Sequence, residues 1–449
     1  MAGGTWTKQD KIRPGVYINF NSKSAMGLNV GTRGKVAICE PMSWGAVATV
    51  QTVTADMDTT NVCGYPIYSE KAKFLNEIFK GTDRTDAPTT VYLYRPAGSG
   101  QEKATATIDN LTVTAVYYGS RGNDISIIVS ADIDNEGAYI VDTVVDGLTV
   151  DRQTASEVEQ LVANSWVEFS GTGALSDIAG LPLTGGVDGT VASSQYMAFL
   201  DNIEPYDFDV IIYDGDDATV KTAFANFVKR LAETQGKYAQ AVVYGMATNP
   251  DSRYVINVSN ITNGVTFADG TTISGGQLTW YVGSATAGAK YNQSLTYAAY
   301  PQAVNTYPAV TNSAVVDALK AGEFVVLTDK GVVKIEQDIN SLVTYTAEIS
   351  SVYRKNRVIR TLHTIANDVY TQFSSGFIGV VDNNETGRSL FKGVIVGYML
   401  ELQANNAIQN FTAEDVEVLK GEEIDSIVVN IAVQPVDAVE KIYMTITVS

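Results

Sequence analysis

The sequence predicts a multidomain chain with α/β and α+β parts: an interrupted α/β domain, a β-sandwich or barrel inserted into it, and a C-terminal α+β domain with linking strands at the chain ends. Three observations predict this. A β-α-β rhythm begins at residue 35, stops at Pro96 and restarts near Ser193. Between those points lie short β-branched runs separated by turn residues. Both termini alternate with a period of two. Val16, Ile18 and Phe20 face away from Tyr17 and Asn19, and Ile442, Met444, Ile446 and Val448 face away from Lys441, Tyr443, Thr445 and Thr447. That is the pattern of strands with one buried face. Two destinations are open to such strands: sheets of their own subunit, or sheets of adjacent copies.

Taken in order, a small-residue stretch over 21–34 leads into Lys35-Val36-Ala37-Ile38-Cys39, an apolar run that reads as a buried strand. Ser69 suits the N-cap of a helix over 70–80, with Phe74, Leu75, Ile78 and Phe79 as its stripe and Gly81 as its stop. Val91-Tyr92-Leu93-Tyr94 is the next strand. In the insertion, 104–108, 111–118, 125–131, 138–145, 148–149 and 167–169 read as strands, and 155–163 as a helix. Leu183-Thr184-Gly185-Gly186-Val187-Asp188-Gly189 closes it as a glycine-rich hinge. Strands over 208–213, 240–244, 254–258 and 324–327 then alternate with helices over 218–235 and 314–320. The final portion opens with a helix over 346–373 that buries Val352, Val358, Ile359, Leu362, Ile365 and Val369. A second helix over 384–405 and strands over 415–420, 426–434 and 439–449 complete it.

At 449 residues the chain exceeds one ordinary core, and its 45% hydrophobic content can fill several. A formal net charge of −19 argues against general affinity for nucleic acid, whose phosphates need a basic footprint. The apolar runs are too short for a transmembrane helix, so no direct membrane insertion is expected. Residues 1–13 lack the apolar region of a signal peptide, which predicts a cytoplasmic product. Cys39 and Cys63 offer neither a disulfide framework nor metal spacing, and read as small buried residues. One basic patch stands out against this acidic background. Arg354, Lys355, Arg357 and Arg360 are expected on the exposed side of the 346–373 helix, with Arg388 and Lys392 enlarging the patch. Such a face suits an acidic docking partner.

Candidate chemistry is sparse. A nucleophilic triad needs a base, and the single histidine, His363, sits among apolar neighbours in the long helix, where a structural role is expected. Asp214, Asp216 and Asp217 follow a buried strand and could in principle hold a hard cation, but read as a loop and N-cap. Gly185-Gly186 and Gly275-Gly276 lack the spacing of a phosphate or dinucleotide loop. No catalytic residue, metal site or cofactor is expected.

Several pieces, in this order and spacing, resemble the contractile tail sheath proteins of myophages and phage-tail-like bacteriocins. They are Arg13-Pro14-Gly15-Val16-Tyr17-Ile18, Tyr118-Gly119-Ser120-Arg121-Gly122-Asn123-Asp124-Ile125, the 183–189 hinge, Ile339-Asn340-Ser341-Leu342-Val343, and the 354–360 cluster. The resemblance covers essentially the whole chain. It implies a subunit of stacked six-fold rings around an inner tail tube, linked by terminal strands that complete a four-stranded sheet with neighbours. It also implies contraction that drives the tube through a target envelope, and a subtilisin-like α/β domain without an active site. Its implied partners are copies of itself, the inner tube protein, and baseplate and tail terminator proteins, in a tail assembled in the host cytoplasm. Val16, Tyr17, Ile18, Phe20, Ile442, Met444, Ile446 and Val448 would be the linking residues. Arg354, Lys355, Arg357, Arg360, Arg388 and Lys392 would face the tube. The parts would be a linking arm over 1–22, α/β segments over 23–96 and 190–343, the insertion over 97–189, a tube-facing core over 344–438 and a linking strand over 439–449. Two other readings remain: a surface or adhesin-type structural protein, and a catalytically dead α/β hydrolase-like protein.

Overall fold

The structure, a computed structural model, describes residues 2–4, 15–17 and 30–448. They divide into two compact units, one of Gly31–Asn367 with Pro435–Ser449, the other of Met1–Val30 with Asp368–Gln434.

The larger unit is built on a seven-stranded sheet in the order Glu323–Phe324, Val255–Val258, Gln240–Tyr244, Val210–Tyr213, Lys35–Cys39, Thr90–Tyr94, Val50–Val53. Every pairing is parallel except the last. Strands from both sides of the insertion therefore share one sheet. Parallel strands need both faces covered, and Val210–Tyr213 and Val255–Val258 are buried at every position. One face packs Val36, Ile38, Ile212 and Val242 against Phe74, Leu75 and the Leu278–Gly288 helix. The other packs Ala37, Ile211 and Val243 against Phe199, Phe224 and Val228. Two caps follow the expectation from sequence. The Ser69 side chain accepts from Lys71 N, and Asp217 caps Ala218–Arg230 by accepting from Thr219 N and Val220 N.

The insertion is a two-sheet sandwich. Its four-stranded sheet runs Leu148–Ala155, Tyr139–Val145, Ile125–Ala131, Ile178–Pro182, and its three-stranded sheet Val167–Gly171, Leu111–Tyr118, Lys103–Ile108. The helix expected over 155–163 is absent. Gln153, Thr154 and Ala155 continue the ladder opposite Val141, Ile140 and Tyr139, leaving only a short 3-10 turn over Val158–Gln160. Cross-strand pairing overrides local helix preference there. The sandwich is fastened to the α/β part by the 118–125 motif. Buried Arg121 donates to Gly64 O at 2.9 Å, pairs with Asp124 and Asp146, and lies over the Tyr65 ring at 4.2 Å. Trp44 enters the sandwich core against Tyr117 and Trp166. Gly119, at φ +121°, passes so close to Ser43 that a Cβ would sit 2.2 Å from its carbonyl oxygen. Only glycine fits there.

The long helix begins later than expected. Residues 344–350 are not helical, Ser351–Arg354 forms a 3-10 turn, and the α-helix runs Asn356–Gly376. Lys355 is extended because it bridges Ile339, and Asn356 N donates to Asp338 O at 3.1 Å. The segment before the helix is thereby spliced onto residues 338–340. Val352, expected inside, is exposed at 47%, whereas Val358 and Ile359 are buried.

In the smaller unit the last turns of this helix meet the Glu385–Ala404 helix through Phe373 and Phe391, ring centroids 4.1 Å apart. Asn384 caps the second helix by accepting from Gly387 N. A hairpin of Val416–Lys420 and Ile427–Ile431 follows, a two-stranded sheet with no third strand among the described residues. Gly15–Tyr17 pairs in parallel with Ala2–Gly4.

Candidate functional site

The C-terminal segment is the most unusual surface of the larger unit. Residues 441–448 form no helix or strand, and among the described residues they make no hydrogen bond or ion pair. Ile442, Met444, Ile446 and Val448 are exposed at 77%, 75%, 78% and 91%. A contiguous apolar row in water marks an interaction site. The expected alternation is present in the residues, but its apolar face is exposed, with no cover among the described residues. Of the N-terminal linking candidates, Val16 and Tyr17 lie in Gly15–Tyr17, while Ile18 and Phe20 lie outside the described residues.

Glu440, a tightly held residue, sits between Val439, itself 84% exposed, and that row. The Glu440 carboxylate accepts from Thr296 Oγ1 at 2.7 Å and Gln337 Nε2 at 2.9 Å, and pairs with Lys355 Nζ. Its side chain is only 9% exposed. Burial alone would push its carboxyl up, but the bonds from Lys355, Thr296 and Gln337 outweigh that and hold it below the usual range. Lys355 also reaches Asp437 Oδ2 at 4.0 Å, and burial raises the Asp437 carboxyl.

This geometry corrects the expected exposed basic patch. Arg360 is fully buried and paired with equally buried Asp338, whose Oδ2 also accepts from Leu295 N at 3.0 Å. Arg354 is half-buried and donates to Leu319 O. Arg357 is half-buried, and burial lowers its guanidinium pKa. Lys355 is committed to Glu440 and Asp437. The physical reason is that Arg354, Lys355 and Arg360 each found a carboxylate or carbonyl distant in sequence, which counting local charge could not reveal. Arg388 and Lys392, on the Glu385–Ala404 helix, are half-exposed, and Arg388 donates to Asn383 Oδ1 at 3.0 Å. Sequence reasoning missed Asp338 and Glu440. The available signal was Asp338 directly before the 339–343 motif, and a carboxylate at the start of an apolar arm.

Other candidate groups are structural in their surroundings. His363 is buried between the Tyr238 and Tyr254 rings, with centroids 5.3 and 5.8 Å away. Burial, reinforced by Arg33 and Arg253, holds its imidazole well below the ordinary pKa. It therefore stays neutral in the fold, whereas the unfolded chain protonates it near its ordinary value of about 6.5. The stability from neutral His363 is complete above that pH and is lost as pH falls below it. Replacing it by His363→Phe is expected to flatten the pH dependence of urea unfolding below about pH 6.5. Burial pushes both thiols, Cys39 and Cys63, upward. Glu40 is pushed well above the usual range by burial and by neighbouring Asp214, which accepts from Trp280 Nε1 at 3.1 Å. Among the described residues no cluster of three or more His, Cys, Asp or Glu could hold a metal ion, and no helix is long and apolar enough to cross a membrane.

Family models match in succession: the phage tail sheath protein beta-sandwich domain over 99–188, the phage tail sheath protein central domain over 189–341, and the phage tail sheath C-terminal domain over 348–449. The chain belongs to the phage tail sheath proteins. A sheath tail protein from Desulfitobacterium hafniense is 40% identical with a TM-score of 0.85, over 96% of this sheath chain and 99% of that one. The phage-like element PBSX protein XkdK of Bacillus subtilis (strain 168) is 33% identical over 100% of both chains. The fold alone is also shared with the contracted helical sheath of the anti-feeding prophage, at 13% identity and TM-score 0.57, over 97% of this chain and 98% of that one. The sheath chain is thus a structural component of a phage tail or tail-like particle, with a multidomain α/β fold that includes a β-sandwich and a C-terminal domain.

Proposed function

We propose that this sheath chain polymerises as stacked hexameric rings around an inner tail tube, and that its terminal segments are donated between copies. The observation that carries the reading is the row Ile442, Met444, Ile446 and Val448, four alternate apolar residues each at least 75% solvent-exposed. The acceptor is the hairpin of Val416–Lys420 and Ile427–Ile431 in an adjacent copy, since two strands alone are marginal and present edges that can take more. Strand addition gains affinity from main-chain hydrogen bonds and register from alternate side-chain pockets. The N-terminal residues Val16, Tyr17, Ile18 and Phe20 supply the second link.

Contraction follows from unequal contacts. Covalently continuous arms, each burying several apolar side chains worth about 2 kcal/mol apiece, hold while exposed charge contacts to the tube, roughly 0–1 kcal/mol per pair, let go. Arg388 and Lys392 serve that tube contact. The extended array is a kinetically trapped state released through the baseplate, the terminator closes the far end, and the tail assembles in the host cytoplasm. The α/β domain acts as a subtilisin-like scaffold without catalytic machinery. Electron microscopy of the purified chain tests the reading: rings or tubes are expected, and a uniform monomer at high concentration would overturn it.

A further inference from the structure

We infer that Lys355 and Glu440 form the hinge from which the linking arm departs, so that only residues 441–448 pass to a second copy while everything up to Glu440 stays with its own subunit. The inference rests on the linking reading above and adds where the donated segment begins and what aims it.

Three separated stretches converge on one carboxylate. Thr296 follows the buried helix Leu278–Gly288, Gln337 precedes the 339–343 motif, and Lys355 sits at the splice before the long helix. All three donate to Glu440, and none of the three donors lies on the arm itself. Thr296 Oγ1 also accepts from Asp338 N at 3.0 Å, and Leu295 N donates to Asp338 Oδ2, so the socket is continuous with the buried Asp338–Arg360 pair. The socket is therefore held by the core rather than by flexible surface groups. Val439 is itself 84% exposed, so the Glu440 side chain, 9% exposed, is the last anchored group of the segment, and Ile442 beyond it is exposed at 77%. That is the profile of a fixed root and a free tip, and the tip, 441–448, spans about 26 Å when extended. An arm aimed by its root is competent for docking a larger fraction of the time, and apparent affinity scales with that fraction. Lys355, Thr296 and Gln337 are positioning residues; the contacts to the neighbour belong to the tip.

The test compares Lys355→Met, Glu440→Gln and Lys355→Arg with a chain lacking residues 441–449. Each is measured for thermal unfolding, for the concentration at which tubes form, and for hydrogen exchange over 436–441 in the dispersed subunit. Lys355→Met and Glu440→Gln are expected to unfold near the parental temperature, exchange faster over 436–441, and require about ten-fold more protein to form tubes. Lys355→Arg, which keeps the charge, should stay within about two-fold of the parent. If the truncated chain fails to form tubes while Lys355→Met and Glu440→Gln match the parent in both exchange and assembly, the hinge is wrong and the linking reading stands. If the truncated chain forms tubes, both fall.

Discussion

A chain ending at Glu440 folds and melts like the parent but stays dispersed where the parent forms tubes. Within the described residues the segment 441–448 contributes no hydrogen bond or ion pair to its own molecule, and its large side chains are exposed. Its removal therefore takes little from the folded monomer. Between copies the same segment brings Ile442, Met444, Ile446 and Val448, each worth about 2 kcal/mol when buried, and the main-chain bonds of a strand. Ordering the arm offsets part of that gain, yet the concentration needed for assembly should rise by about 100-fold or more. Sedimentation velocity beside circular dichroism reads both halves of the prediction. A truncated chain that unfolds early would instead mean that the segment supports its own subunit.

The opposite division is expected at the other end of the socket. Asp338→Ala should cost about 3–5 kcal/mol of stability, because it leaves the Arg360 guanidinium buried without its counter-charge. The loss extends to the Leu295 N–H, which donates to the same carboxylate. Arg360→Met alone strands Asp338 in the same way. The double change Asp338→Leu with Arg360→Met should recover much of the loss, since a buried pair replaced by apolar groups of similar volume is often near neutral. Chemical denaturation of the three variants checks this. Equal stability of Asp338→Ala and the parent would show that the pair is solvated in solution.

These two sites also show what could be read from sequence. The period-two alternation at 442–448 was legible because it is a property of adjacent residues. So were the caps at Ser69 and Asp217, and the β-α-β rhythm on both sides of the insertion. The Leu278–Gly288 helix was not legible. Ten of its eleven residues are buried, so it has no polar face and no helical period to detect. The 346–373 helix was placed too early because its periodicity continues through Lys355, where pairing with Ile339 extends the backbone. The 354–360 cations were visible as a cluster, but their partners lie as far off as Leu319 on one side and Glu440 on the other. Charge content in a window states how many cations there are; only the fold states which are already neutralised.

The most direct measurement is a three-dimensional reconstruction of tubes formed by the purified chain, at a resolution that traces the backbone. The account requires continuous density leaving one subunit at Glu440 and residues 442–448 hydrogen-bonded beside the 416–431 hairpin of the next copy. Density in which that segment folds back onto its own subunit, with subunits joined by other surfaces, would contradict it.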